Sequence, residues 1–339
     1  MKKLIFLPLL FITSIFAELP TVLPPPLESG DLIAIVFPAS FPDLDDDKAQ
    51  KLLDKQAKWL QTQGYRTVFY PQKITRVGYL AGTDIERANA LMNAWRNEEV
   101  KAIWCFQGGY GTSRILDELD YEIIKAHPKI FIGMSDITAL HQAIKQRTGL
   151  VTFLGPVLKY FNKQIITDFD DEYAFSSFTQ LLVNQMYGEA PLPIGFDIKV
   201  VRPGQAKGKL VGGNLSLIAA LCGTKWQLDT KGKILILEDI SESIYRIDRM
   251  LWQLEKSGLL DQPAAVILAS WEGCQPKHTH SLTLEQVFEH YFKNAKYPVI
   301  NGFPSGHIQQ QLALPLNTMM EIDTSAKKVR LLEPTVARN

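Results

Sequence analysis

The stretch Ile130 to Gly149, IFIGMSDITALHQAIKQRTG, leaves the chain little choice of local structure. An apolar run, Ile130-Phe131-Ile132, is followed by Gly133-Met134-Ser135-Asp136, after which Ile137, Leu140 and Ile144 recur at spacings of three and four. That pattern predicts a strand, a tight turn and a helix. A serine in such a turn stands where free backbone N–H groups at a helix amino end stabilise an oxyanion. This is the logic of a nucleophile elbow, with Gly133 leaving room for the close approach of the chain. The stretch departs from G-x-S-x-G, because Ile137 or Thr138 stands where the last glycine would be. Ser135-Asp136 therefore also reads as an ordinary helix cap.

The same alternation runs through both halves of the sequence. Leu32 to Phe37 is a near-continuous apolar run ending at Pro38 and Ala39-Ser40, and Arg66 to Tyr70 reads as a second strand. Val100 to Phe106 runs straight into Gln107-Gly108-Gly109-Tyr110-Gly111-Thr112-Ser113. Such runs suit strands buried on both faces of a parallel sheet, whose carboxyl ends bind ligands. Between them, the acidic cluster Asp43, Asp45, Asp46 and Asp47 suits a helix amino terminus, and Thr83 with Glu86 makes a capping box. Further on, Lys233 to Leu237 ends on Glu238-Asp239, Val266 to Ala269 is a strand, and Pro298-Val299-Ile300 leads to Gly306-His307. The expected fold is α/β: a Rossmann-like or flavodoxin-like parallel-sheet domain over 30–160, then a smaller C-terminal α/β domain over 205–332. Residues 161–204 are expected to connect them, with the active site at the interface.

A chain of 339 residues, 46% hydrophobic, is long enough for two such domains. Lys+Arg and Asp+Glu both number 36, so no basic excess supports a nucleic-acid partner held by bulk electrostatics. Residues 1–17 join Lys2 and Lys3 to an apolar stretch from Leu4 to Phe16 and then Ala17, which predicts a secretory signal peptide cleaved after Ala17. The run is short for a bilayer span, so no stable membrane anchor is expected. Cys105, Cys222 and Cys274 are odd in number and widely spaced, which predicts buried small apolar residues rather than a disulfide framework or zinc site.

Several side chains stand just beyond predicted strands. The glycines after Phe106 let backbone amides approach a ligand, and a helix from Ser113 is expected to add its dipole. The lysine of a P-loop is missing and the Rossmann spacing is not met, which favours an anion or oxyanion cradle over a nucleotide site. A tight turn built of small residues is the plainer alternative. Glu238 needs a partner or water, and orienting a histidine is one use for it. His307 sits in a Gly/Pro/Ser turn where an imidazole is both exposed and held. His278 and His280 read as a solvated loop, His290 as structural, and His127, before a proline in a loop, and His141, on the helix after Ser135, have less to recommend them than His307. Ser135, Glu238 and His307 together suit a serine–histidine–carboxylate relay across the domain interface, with amides near Gly109 and of Asp136 receiving the oxyanion.

The segments PAS (38–40), AGTDIERANALMNAW (81–95), VKAIWCFQGGYGTSRILDELD (100–120), IGMSDITAL (132–140), GGNLSLI (212–218), LEDISESIYRIDRML (237–251) and GHIQQQLALPLN (306–317) resemble the LD-carboxypeptidase family of serine peptidases, which includes the microcin-immunity peptidases. The resemblance spans about residues 30 to 332. It implies a Ser135–Glu238–His307 triad, oxyanion amides at Gly109 and Asp136, and substrate contacts at Gly108, Tyr110 and Asn214. It implies no metal or organic cofactor, and a homodimer. Two departures stand out: Gln107 where the family usually has arginine before GGYG, and Asn317 where its late motif usually ends in glycine. The expected activity is hydrolysis of the L,D-peptide bond to the terminal D-alanine of murein tetrapeptides, in the periplasm. Cleavage of peptide–nucleotide or acyl-amino-acid toxins is the enzymatic alternative, and a periplasmic ligand-binding protein the alternative of another class.

Overall fold

The computed structural model describes residues 18–163, 169–182, 188–190 and 197–338, so the expected signal peptide lies outside the described residues. Strands β1 (Leu32–Val36), β2 (Arg66–Tyr70), β3 (Val100–Cys105), β4 (Ile130–Gly133) and β5 (Thr152–Leu154) pair in parallel, in the order β5-β4-β3-β1-β2. This is the flavodoxin-like order, which reverses between β1 and β3 and opens a crevice at their carboxyl ends. All five residues of β1 and all four of β4 are buried, as helices on both faces demand. Burying each Ile, Leu or Val of these runs is worth about 1.5–3 kcal/mol.

The helices between them begin at the expected caps. Asp45 caps α1 (Asp46–Thr62) by accepting from Lys48 N at 2.9 Å. The Thr83/Glu86 box caps α2 (Asp84–Arg96) through Glu86 N to Thr83 Oγ1 at 3.2 Å and Thr83 N to Glu86 at 2.8 Å. After the glycine loop, the expected helix from Ser113 is instead a 3₁₀ turn over Thr112–Glu118. Its N-cap, Gly111, stands at φ 124° and offers no side-chain cap, and Asp136 takes the Thr112 N–H at 2.8 Å. The dipole expected there is not available to a ligand. Short α3 (Tyr121–Ala126) and then α4 (Thr138–Thr148) complete the first layer, α4 ending on Gly149 at φ 74°.

Beyond α5 (Asp171–Leu182) the chain builds an eight-stranded sheet. Its strands are β6 (Gly188–Glu189), β7 (Lys199–Arg202), β8 (Gln205–Asn214), β9 (Ile234–Ile240), β10 (Ala265–Glu272) and β11 (Val299–Asn301), with β13 (Met319–Asp323) and β14 (Lys328–Leu331). The central β8, β9, β10 and β11 are parallel. They are packed by α6 (Leu215–Leu221), α7 (Ile244–Lys256) and α8 (Leu284–Phe292). Between β11 and β13 the chain crosses back, and β12 (Leu314–Leu316) pairs antiparallel with β5 at the edge of the first sheet. His307 lies on that crossover, so the topology itself carries it to the seam between the sheets. No helix among the described residues is long and apolar enough to cross a membrane. All three cysteines are free; Cys105 and Cys274 are buried and Cys222 is partly so.

Candidate active site

Ser135 follows β4 at φ 63°, a left-handed conformation that costs a side-chain-bearing residue of order 1–3 kcal/mol. The strain is held because Ile132 and Gly133 are locked in the sheet and Ile137 and Leu140 are fully buried. Ser135 itself is only partly buried. The residues Ser135–Ile137 form a 3₁₀ turn leading into α4, and as its second residue Asp136 has an N–H that the helix ladder does not use. Gly108 of the glycine loop presses directly on this elbow. A Cβ there would lie 2.9 Å from Ser135 Cβ and 3.2 Å from both Ser135 Oγ and Asp136 N, so only glycine fits.

The glycine loop is clamped from the β1 side, across the crevice where the strand order reverses. Ser40 N donates to Gly108 O at 3.3 Å, and Tyr110 N donates to Ser40 Oγ at 3.0 Å. Gly109 is exposed at φ 106°, and Tyr110 is exposed with its ring edge-on to Tyr79. Beneath the loop, the fully buried Arg87 donates to Pro38 O, to Gly111 O at 2.9 Å and to Asp84. The Asp136 carboxyl accepts from Thr112 N, while Thr112 Oγ1 donates to Asp136 O. Burial raises the Asp136 pKa, against the lowering by its Thr112 hydrogen bonds. Elbow and glycine loop are thus one unit.

The second cluster hangs from β8, β9 and the crossover. Glu238, wholly buried near the end of β9, accepts from His307 Nδ1 at 2.7 Å. The in-register pairing of β8 with β9 sets Asn214 opposite Glu238, and Asn214 Nδ2 donates to Glu238 at 3.2 Å and to Asp239 at 3.1 Å. Asp239 also accepts from Ser216 N at 3.0 Å and Ser216 Oγ at 2.7 Å. Burial raises the Asp239 pKa, and the neighbouring Glu238 adds to the rise. Gly306, at φ 107°, lets the crossover pass against this pair: a Cβ there would fall 2.8 Å from Glu238 Oε2. The Ser270 and Ser305 hydroxyls are buried nearby with no hydrogen-bond partner among the described residues, and Ser270 N donates to Ser305 O.

The two clusters meet where Asn214 N donates to Thr138 Oγ1 at 3.0 Å, three residues after Ser135. Among the described residues, no hydrogen bond of 3.5 Å or less joins the Ser135 hydroxyl to His307. Such bonds are often long until substrate is bound. Glu238 holds Nδ1 of the imidazole, which leaves Nε2 as the nitrogen for an exchangeable proton.

Sequence reasoning passed over several residues of this region. Asp239 was visible beside Glu238, but its partner Ser216 was not. Arg87 carried the signal of an arginine on the apolar-patterned helix α2, and His141 that of a histidine directly behind the elbow. His141, fully buried, bonds Gly133 O and Thr152 Oγ1, both at 2.9 Å, and burial draws its pKa down to about 4. His278 and His280 are exposed and line, with Tyr245 and Asp248, a cleft of about 600 Å³ beside α7. No group of three or more His, Cys, Asp or Glu among the described residues is placed to hold a metal ion.

These observations define a two-lobed α/β protein with a strained serine turn and a buried acid–imidazole pair at its seam. The LD-carboxypeptidase N-terminal domain matches residues 33–155, and the LD-carboxypeptidase C-terminal domain matches residues 207–322. A probable murein peptide carboxypeptidase of Bacillus subtilis is 39% identical over 320 residues, covering 93% of this chain and 95% of the relative. The solved muramoyltetrapeptide carboxypeptidase from Oxalobacter formigenes superposes with a TM-score of 0.75 at 28% identity, covering 88% of this chain and 97% of that one. The wild-type apo microcin C7 self-immunity protein superposes with a TM-score of 0.85 at 26% identity, covering 93% and 100%. The chain belongs to the LD-carboxypeptidase family and is a serine-type carboxypeptidase, a hydrolase. That decides between a hydrolase and a periplasmic binding protein.

Proposed function

We propose that the protein removes the terminal D-alanine from murein tetrapeptides by hydrolysing its L,D-peptide bond through a Ser135–His307–Glu238 triad. The observation that carries this reading is the 2.7 Å bond between His307 Nδ1 and buried Glu238, in a chain whose Ser135 is held at φ 63° beside Gly108. In the first step Ser135 Oγ attacks the carbonyl carbon of the diamino acid, and its proton passes to His307 Nε2. Glu238 keeps the ring in the tautomer that accepts at Nε2 and stabilises the imidazolium that results. The amides of Gly109 and Asp136 receive the oxyanion. Collapse breaks the C–N bond, and the D-alanine amine leaves with the proton from His307. A water molecule then gives a proton to His307 and attacks the ester; the ester C–O bond breaks, the tripeptide leaves, and His307 returns the proton to Ser135 Oγ.

The protein meets this substrate in the periplasm as a homodimer, in this reading; the basic, apolar and small-residue order of Met1 to Ala17 supports export. The structural likeness to a microcin C7 self-immunity protein, also solved in complex with aspartyl sulfamoyl adenosine, favours a second reading, cleavage of peptide–nucleotide or acyl-amino-acid toxins. Incubating purified protein with murein tetrapeptide and, separately, with an aminoacyl sulfamoyl adenosine, then following products by mass spectrometry, separates the two. Release of D-alanine is expected, and its absence sinks the murein reading.

A further inference from the structure

An exopeptidase has to recognise the free carboxylate at the end of its substrate, and an immobile cation is the usual means. The cations around the elbow are mostly committed. Arg87 and Arg114 both pair with Asp84, and Arg76 pairs with Asp46. Lys159 is different. Its ammonium donates to Gln107 Oε1 at 3.4 Å, and among the described residues no carboxylate lies within 4.0 Å of it. The Tyr160 ring centroid lies 5.5 Å from it. It is partly buried, and burial pulls its pKa down. A half-buried ammonium without a counter-ion is costly to keep unless an anion visits it.

Its position fits that visitor. Gln107 is buried and directly precedes Gly108, the residue pressed on Ser135. Lys159 N donates to Phe106 O at 3.0 Å, so the backbone pins the lysine to the end of β3. On its other side Tyr160 is buried within reach of the Glu238 charge, which adds to the larger effect of burial in raising the phenol pKa. Lys159 therefore stands on a strip between the glycine loop and the acid of the second cluster. We infer that Lys159, steadied by the Gln107 amide, binds the terminal carboxylate of the substrate and makes the enzyme an exopeptidase. The inference rests on the murein reading above, whose leaving D-alanine carries such a carboxylate.

The test compares a murein tetrapeptide with the same peptide ending in D-alaninamide. Wild-type protein is expected to prefer the acid in kcat/KM by about tenfold or more, the range of a charge-assisted hydrogen bond, with most of the difference in KM. Lys159→Met, with Lys159→Gln as a polar companion, is expected to erase that preference, and Lys159→Arg to keep much of it. A merely structural lysine would depress both substrates alike and leave their ratio unchanged, which overturns the inference. So does a wild type that cleaves acid and amide equally well, a result that needs no variant. Should wild-type protein cleave neither peptide, the murein reading fails and this inference falls with it.

Discussion

The two halves of the site are held in place by opposite means. The elbow is held by shape: a left-handed Ser135, a glycine where any Cβ would collide, and buried side chains on either side. The acid–imidazole pair is held by hydrogen bonds, with Asn214, Asp239 and Ser216 forming a chain that ends on Glu238 and His307. A methyl group therefore threatens the first half, and a changed proton or lone pair threatens the second. Isosteric substitutions should be mild at the elbow's supports and severe at the pair's.

The largest effect belongs to Ser135→Ala. It is expected to lower turnover by about ten-thousandfold or more while leaving tetrapeptide affinity, read by calorimetry, within a few fold. Near-normal turnover would remove Ser135 from the chemistry. Next comes Glu238→Gln, which keeps the shape and reverses a hydrogen-bonding group. Presenting an N–H₂ donor to His307 favours the wrong tautomer, and the expected loss in kcat is about a thousandfold to ten-thousandfold. A loss under tenfold would mean that the pair is architectural. Gly108→Ala, with no hydrogen bond changed, should cost about a hundredfold in kcat and lower the melting temperature by only a few degrees, since its methyl displaces Ser135 or Asp136 by a few tenths of an ångström. If Gly108→Ala proves harmless while Glu238→Gln is crippling, the steric account of the elbow is wrong.

The same division explains what the sequence disclosed. A strand, a turn and a helix are local, so Ile130 to Gly149 announced the elbow, and Thr83 with Glu86 announced α2. The glycine run after β3 was legible too, although the helix expected beyond it is not formed. The acceptor that competes for Thr112 N, Asp136, lies 24 residues away, beyond the reach of local pattern. The hydrogen-bonded half is non-local by nature: Asn214, Glu238 and His307 are separated by 24 and 69 residues. Periodicity says that Glu238 ends a strand and cannot say that β8 runs beside β9 in the register that sets Asn214 against it. Nor could composition reveal that the chain returns from β11 to β12 on the first sheet, the crossover that delivers His307.

The smallest effect tests the shape-held half through stability rather than rate. His141 lies under the elbow, bridging Gly133 O at the end of β4 to Thr152 on β5, and burial draws its pKa to about 4. An imidazole in the unfolded chain titrates near about 6.5. As pH falls below that value the unfolded state takes up a proton that the folded state refuses until about pH 4, so folding stability declines across this window. Above it, both states are neutral and His141 adds no pH dependence. Denaturant unfolding at pH 7 and pH 5 should therefore show a loss in the wild type that is smaller in His141→Gln, whose amide still reaches two partners and does not titrate. The two losses should differ by about 1–2 kcal/mol, because each tenfold difference in proton affinity between the folded and unfolded imidazole is worth about 1.36 kcal/mol. Equal losses would mean that water reaches His141, and that the floor of the elbow is looser than its hydrogen bonds to Gly133 and Thr152 require.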